Sequence, residues 1–280
     1  MRYLAVVQYD GTDFVGWQIQ PNGRSVEEEI EKVLSQILNT PTKIYGSGRT
    51  DAKVHAIGQT FHFDSKEIKD IGKFTYSVNK MLPEDIHIVS IKQVDDKFNA
   101  RFSVKDKTYL YIINTGKFDV FNRRFVNQYL QELDIKAIKE ASKLFIGKHN
   151  FQNFTSKEED EDNFVRTINS FDVVVNGDTI SFYINGDGFM RYMVRMIVGT
   201  LIEVGLGMLS IDKVEYYLET PKRNPVPYKA APEGLYLLKV NYDYDIHQSF
   251  MDLRGCMAEY DDGKDYKEMI IDGIIEKHSK

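Results

Sequence analysis

The order of elements along the 280 residues predicts an α+β fold built from two α/β halves with mainly antiparallel sheets. Three observations lead there. Residues 1 to 100 read as strand, helix, strand, strand, helix, strand, the split βαβ order of ferredoxin-like folds. A comparable order recurs over residues 101 to 244, with long insertions; no residue identity between the halves is visible, so the repeat rests on element order alone. Apolar residues make up 42% of the chain, enough for one large core or two of ordinary size, which excludes disorder.

Each element has a local reason. Residues 2 to 9 (RYLAVVQY) are apolar and β-branched and end at Asp10-Gly11, a strand running into a loop. Ser25 with Glu28 three residues on forms a capping box, and Val26, Ile30, Val33, Leu34 and Ile37 follow at helical spacing. Lys43 to Tyr45 and Gln59 to Phe63 read as strands flanking a polar, Gly-rich loop. A weaker helix is expected over about residues 67 to 81, stopped by Pro83, and Asp85 to Val94 supplies the fourth strand.

In the second half Lys107 to Asn114 is strand-like and Asp134 to Ile146 is an amphipathic helix. Arg166 to Val175 and Thr179 to Asn185 form a hairpin around Asn176-Gly177. A long helix is expected from about Phe189 to Val204, with Phe189, Met193, Ile197 and Leu201 on one face and Arg191 and Arg195 one turn apart on another. After a connection holding Pro221, Pro225, Pro227 and Pro232, the strand Leu235 to Tyr242 closes the half. Residues 245 to 280 read as an acidic, partly helical appendage.

Composition narrows the chemistry. No stretch is long and apolar enough for a membrane span, and the N-terminus lacks the features of a signal peptide, so a cytoplasmic protein with no membrane contact is expected. A single cysteine, Cys256, excludes a disulfide framework or a Cys-rich zinc site, and the six histidines show no metal-ligand spacing. Any chemistry then falls to carboxylates, phenols, hydroxyls, imidazoles and bases. The formal net charge of −6 is a sum of unlike parts. Residues 241 to 280 carry 5 basic and 10 acidic side chains, and residues 158 to 162 are all acidic. The remainder is slightly basic, above all residues 101 to 124 with Arg101, Lys105, Lys107, Lys117, Arg123 and Arg124, so a nucleic-acid partner stays open.

Between two of the strands lies Gly46-Ser47-Gly48-Arg49-Thr50-Asp51. Two glycines permit a tight turn or close approach to a ligand, and an Arg and an Asp two positions apart can both project from it. The same spacing also serves a structural turn with a surface ion pair worth ~0–1 kcal/mol.

With Ala52 and Val54-His55, this loop resembles the active-site loop of the tRNA pseudouridine synthase A family. Further blocks resemble the same family in the same order. These are Tyr9-Asp10-Gly11-Thr12 with Gly16-Trp17-Gln18, Gln20-Pro21-Asn22 and Ser25-Val26-Glu27; Ala100-Arg101-Phe102-Ser103 with Lys107-Thr108-Tyr109-Leu110-Tyr111; and Gly147-Lys148-His149-Asn150-Phe151. Gly188-Phe189-Met190 running into Met193-Val194-Arg195 and Ile197-Val198-Gly199, and Ala231-Pro232-Glu233-Gly234-Leu235-Tyr236-Leu237, complete the set, which spans residues 3 to 242.

The resemblance implies an isomerase that converts uridine in RNA to pseudouridine without cofactor or metal, typically at positions 38, 39 and 40 of the tRNA anticodon arm. It implies two RRM-like halves flanking a central RNA-binding cleft, and a homodimer with one tRNA lying across both subunits. Asp51 is then the catalytic carboxylate, acting on C1′ or on the C2′ proton. Tyr109 stacks on the uracil and helps with the C5 proton, while Tyr111 is expected to point to the opposite face of the same strand, so that one of the pair belongs to the core. Arg195 pairs with Asp51, since an arginine among apolar neighbours needs a partner. Arg49, His55, Arg24, Lys53 and Arg101 are candidates for contact with RNA.

Two positions depart from the pattern. Lys53 stands where the family has glycine, which strains the loop if that position needs a positive φ. Ile19 replaces an arginine of the Gln-Arg-Gln segment. Another tRNA site or a ribosomal RNA is the alternative target. A catalytically idle RNA-binding protein and an aspartate-dependent hydrolase are the competing readings. The hydrolase needs a second carboxylate, and none is evident near the motifs.

Overall fold

The computed structural model describes residues 1–156, 163–221 and 225–243. The acidic run at 158 to 162 and the appendage at 245 to 280 lie outside them. Strand β1 (Arg2–Tyr9) is almost wholly buried because it runs between β3 (His55–Asp64) and β4 (Ile86–Val94), antiparallel to both. Its alternate residues divide between the faces: Tyr3, Ala5, Val7 and Tyr9 enter the core beneath the helices, while Leu4 packs with Phe98 and Ala100 on the other side.

Helix α1 (Val26–Leu38) begins as the sequence requires, with the Ser25 hydroxyl accepting from the Glu28 N–H at 3.4 Å, and ends at Asn39 in the left-handed region, φ 50°. Helix α2 (Ile71–Met81) starts later than expected, because Asp70 takes the N-cap and accepts from the Lys73 N–H at 2.9 Å. Short β2 (Ile44–Gly46) pairs with the far part of β3.

The second half carries β5 (Val104–Asn114), short β6 (Asn127–Gln128), α3 (Ile135–Lys143), short β7 (Gly147–Asn150), β8 (Val165–Asn176) and β9 (Thr179–Gly186), then α4 (Met193–Gly205), α5 (Ile211–Glu219) and β10 (Leu235–Tyr242). The β8–β9 turn is one residue later than expected. Asn176 pairs with Thr179, and Gly177 and Asp178 are the central residues, with the positive φ of 55° at the glycine. Helix α5, capped by Ser210, was not legible in the sequence.

The long helix differs from its expected span at its start. Tyr192 sits in the left-handed region at φ 62°, which no right-handed helix accommodates, so α4 begins at Met193 and both Phe189 and Arg191 precede it. From there almost every residue of α4 is buried, the signature of a helix covered on all sides rather than an amphipathic one.

All strands of the described residues join in one mostly antiparallel sheet in the order β4-β1-β3-β10-β5-β9-β8-β7, with β2 on β3 and β6 on β5. The expected separate sheets are thus continuous. The halves meet at a short parallel pairing in which Tyr236 faces His55 and Leu237 faces Ala56. Across β10, Leu237 also faces Tyr109 of β5. Gly58 makes the seam possible, since a Cβ there would lie 2.5 Å from the Leu238 carbonyl oxygen.

Candidate active site

The loop carrying Asp51 is clasped by the segment that follows β1. Gly16 and Asp51 form a β-bridge, the Trp17 N–H donates to the Thr50 carbonyl at 3.1 Å, and the Lys53 N–H donates to the Phe14 carbonyl at 3.3 Å. Gly16, at φ 120°, could not be anything larger, because a Cβ would stand 2.8 Å from the Thr50 oxygen. Trp17 packs flat enough on Gly46 that a Cβ there would lie 2.8 Å from the indole. Beneath the loop the Tyr9 hydroxyl meets Thr50 Oγ1 at 2.7 Å, and Ser47 Oγ donates to Gln59 Oε1 at 2.6 Å. The first two sequence blocks therefore form one structural unit.

Asp51 is three-quarters enclosed, with a side-chain exposure of 25%. Its carboxylate accepts no hydrogen bond among the described residues; its ion-pair partner is Arg195 Nη1 at 3.8 Å, beyond hydrogen-bond range. Arg195 is 8% exposed and held from behind, its Nε donating to the Ala230 carbonyl at 2.8 Å. Burial raises the Asp51 carboxyl above the usual carboxylate range, outweighing the charges of Arg195, Arg191 and Lys229 that pull it down. The arrangement is a carboxylate held near cations with its oxygens left open to a ligand.

Tyr109 completes the group from β5. Burial raises its phenol, and the charge of Asp51 adds to the rise, so it is a neutral phenol beside a carboxylate. Its ring meets Phe189 edge-on at 5.0 Å between centroids. Tyr111 is in the core as one of the pair was expected to be, but on the same face as Tyr109, since residues two apart on a strand share a side. Its hydroxyl donates to the Ala231 carbonyl at 2.8 Å.

The structure thus brings Asp51, Tyr109 and Arg195 together and disperses the other candidates. His55 is 1% exposed, with its Nε2 2.9 Å from the Arg124 carbonyl, its Nδ1 3.0 Å from the Gly11 nitrogen and its ring stacked on Tyr236, so it anchors the seam and presents nothing to RNA. Arg24 is spent internally on Glu29 at 2.8 Å and Asp85 at 2.6 Å and lies over Phe14. Arg49 is exposed on the loop, and Arg101 is exposed over the ring of Phe102, itself 80% exposed. Lys53 is exposed at φ 65°, so the glycine position does require the left-handed region and the lysine carries a strain of ~1–2 kcal/mol. It lines a cavity of about 460 Å³ together with Phe118, Arg123 and Glu233, beside the loop rather than around Asp51.

Lys107, read from the sequence as one of the basic residues of 101 to 124, turns inward instead. From β5, on the side of Tyr109, its Nζ donates to the Ser47 carbonyl at 2.8 Å and presses on Gly48, where a Cβ would lie 2.7 Å away. Burial, joined by the charge of Arg101, pushes its ammonium down to about 8. The signal was there in the alternation, two residues before Tyr109. Tyr192, Arg191 and Lys229 were missed as a group because they come together only through the left-handed turn before α4.

The family profile for tRNA pseudouridine synthase matches residues 5–103 and 141–243. A protein of Exiguobacterium sp. (strain ATCC BAA-1283 / AT1b) named tRNA pseudouridine synthase A is 40% identical over 242 residues, covering 86% of this chain and 98% of that protein. One of the same name from Listeria monocytogenes serotype 4b (strain CLIP80459) is 42% identical over 246 residues, covering 86% and 99%. Among solved structures, a chain of a Cbf5-Nop10-Gar1 complex is 14% identical and covers 92% of this chain and 66% of its own, at a TM-score of 0.35, too low to bear on the fold. The carboxylate loop and the buried arginine fall inside the residues matched by the family profile, the tyrosine strand lies between its two matched segments, and the chain belongs to the tRNA pseudouridine synthase family.

Proposed function

We propose that this chain isomerises uridine to pseudouridine in tRNA, in the anticodon stem-loop, with Asp51 as the catalytic carboxylate. The observation that carries the reading is the open Asp51 carboxylate set between Arg195 and Tyr109. In the reaction the N1–C1′ bond breaks, the uracil turns, a C5–C1′ bond forms, the C5 proton leaves and N1 takes one up, so the product is an isomer of the substrate and no electron is exchanged. Asp51 acts on the sugar, either at C1′ or at the C2′ proton. Arg195 keeps the carboxylate ionised against the pull of burial. Tyr109, uncharged and half-buried, offers a ring for the freed base and a hydroxyl for the departing proton.

The target must leave its stack to reach Asp51, which calls for a cleft between two halves, one ending near residue 100 and the other at 244. The strand order supports two ferredoxin-like, RRM-like halves: the N-terminal one runs β4-β1-β3-β2 and the C-terminal one β10-β5-β9-β8. A homodimer that shares one tRNA, at work in the cytoplasm, belongs to the same reading, and sedimentation with and without tRNA tests the dimer. Lys53 and Ile19, both exposed, favour a second reading in which another tRNA site or a ribosomal RNA is the target. The deciding experiment incubates the purified chain with unmodified tRNA and ribosomal RNA transcripts and maps pseudouridine by carbodiimide-stop primer extension. Product is expected in the anticodon arm and none with Asp51→Ala; full activity of that variant sinks the assignment, and RNA binding without product leaves an idle binding protein.

A further inference from the structure

Three cations gather on one ring beside Asp51. Arg195 lies 5.3 Å from the Tyr192 ring centroid, Arg191 4.9 Å and Lys229 4.4 Å. Arg195 has Asp51 as its partner. Arg191 and Lys229 are exposed, and neither pairs with a carboxylate among the described residues; Arg191 reaches only the Tyr192 hydroxyl, at 3.1 Å. Yet both stand close enough to Asp51 to pull its carboxyl downward. Three positive charges thus face one negative charge, and like charges held together without compensation call for an anion.

The backbone is built to hold them there. The Thr155 hydroxyl donates to the Arg191 carbonyl at 3.0 Å, fixing the turn before α4, and Tyr192 sits in the strained left-handed region that puts its ring under the cations. Lys229 arrives because Gly199 opens the face of α4: a Cβ at 199 would lie 2.8 Å from the Lys229 backbone nitrogen. The same segment is clamped by the Ala230 N–H on the Arg195 carbonyl at 2.9 Å and by Arg195 Nε on the Ala230 carbonyl at 2.8 Å. Arg195, the residue that faces the carboxylate, therefore also sets the place of Lys229.

We propose that Arg191 and Lys229, gathered on Tyr192, form a phosphate-binding site that grips the RNA backbone at the target nucleotide and holds its sugar against Asp51. The site rests on the reading of this chain as an RNA uridine isomerase, and it adds two substrate-binding residues outside the catalytic group. A nucleotide whose C1′ meets Asp51 carries its phosphodiesters on that same sugar, and the two cations share the Tyr192 ring with Arg195, the ion-pair partner of Asp51. Arg offers a planar fork to phosphate oxygens and Lys a point charge.

The test measures binding of an unmodified tRNA transcript to the full chain across a series of KCl concentrations, alongside pseudouridine formation. Each phosphate contact contributes about 0.7–0.9 to the slope of log affinity against log salt. Arg191→Gln and Lys229→Gln are each expected to lower the slope by about that amount and the affinity by about tenfold, and the double variant by about twice the slope. Arg191→Lys and Lys229→Arg keep the charge and are expected to keep the slope, which separates charge from folding. A double Gln variant that melts like its parent and retains the parent's slope and affinity, while the parent makes pseudouridine, overturns the phosphate site and leaves the isomerase reading intact. A parent that makes no pseudouridine while the Gln variants still lose slope overturns the isomerase reading and leaves the phosphate site standing.

Discussion

Lys107→Met exchanges a half-buried cation for an apolar side chain of similar length and cuts the contact from Nζ to the Ser47 carbonyl. The ammonium is pushed from the ordinary lysine value of 10.5 down to about 8, by burial first and by the charge of Arg101 second. The unfolded chain keeps this proton up to about pH 10.5 and the folded chain only up to about pH 8. Between those limits the unfolded state binds more protons, so stability rises with pH. At ~1.4 kcal/mol per tenfold, the gap is a cost of about 3 kcal/mol that is fully present below pH 8 and gone by about pH 10.5. Methionine removes that cost at every pH and gives up a hydrogen bond worth ~1 kcal/mol. The variant is therefore expected to be more stable than its parent by about 2 kcal/mol at pH 7 and less stable by ~1 kcal/mol at pH 10.5. Urea unfolding of both proteins at the two pH values measures this, and taking the difference between proteins cancels every other titrating group. Because the loop from Gly46 to Asp51 loses a tether, pseudouridine formation is expected to fall even at pH 7, where the variant is the more stable protein. A stability difference that stays constant between pH 7 and pH 10.5 refutes the argument that Lys107 is a half-buried, destabilised cation.

Asp51→Asn is expected to abolish product while leaving the chain at least as stable at neutral pH, as read by thermal melting. The raised carboxyl means that the folded state holds a proton longer than the unfolded one, so the ionised form costs stability above the ordinary carboxylate range, and Asn removes that cost. The same sign places the acid limb of the wild-type pH–rate profile above 3.8; a limb at or below that value contradicts burial as the leading influence on Asp51. Gly46→Ala places a methyl 2.8 Å from the indole of Trp17, which is 2% exposed, and is expected to cost ~1–3 kcal/mol. Trp17 is the only tryptophan, so a shift in intrinsic fluorescence reports the displaced ring directly.

What could be read ahead of the structure was what local chemistry decides. Ser25 capping α1, the apolar run of β1 and the Pro83 stop of α2 act within a few residues, and they appear where the pattern placed them. The start of α4 could not be read that way. Residues 189 to 204 hold a helical period throughout, but Tyr192 takes the left-handed region, and its surroundings come from residues 155, 195 and 229. The charged candidates divide by the same rule. Arg24 and His55 looked available for RNA until Asp85 and the Arg124 carbonyl, both more than 60 residues away, were seen to occupy them. Asp51, Tyr109 and Arg195 were legible only because ordered motifs named them; their spacing alone is equally that of a turn, a sheet tyrosine and a helix arginine.

The position of the site at the seam explains why its parts are so far apart in sequence. Asp51 precedes β3 in the first half, whereas Tyr109 and Arg195 belong to the second. What holds them in register is an exchange of side chains across the join: Val54, three residues past Asp51, packs into the core of the second half, while Leu237 and Val240 of β10 pack into the core of the first. Tyr109 touches both cores. The parallel pairing of β3 with β10 is short, so hydrogen bonds alone would fix the join weakly, and the buried apolar side chains supply the larger share of its stability. A carboxylate raised by burial and accepting no hydrogen bond among the described residues is itself a cost to folding. It persists at this seam because two cores, each closed by residues of the other, hold the halves too firmly for Asp51 to escape to water.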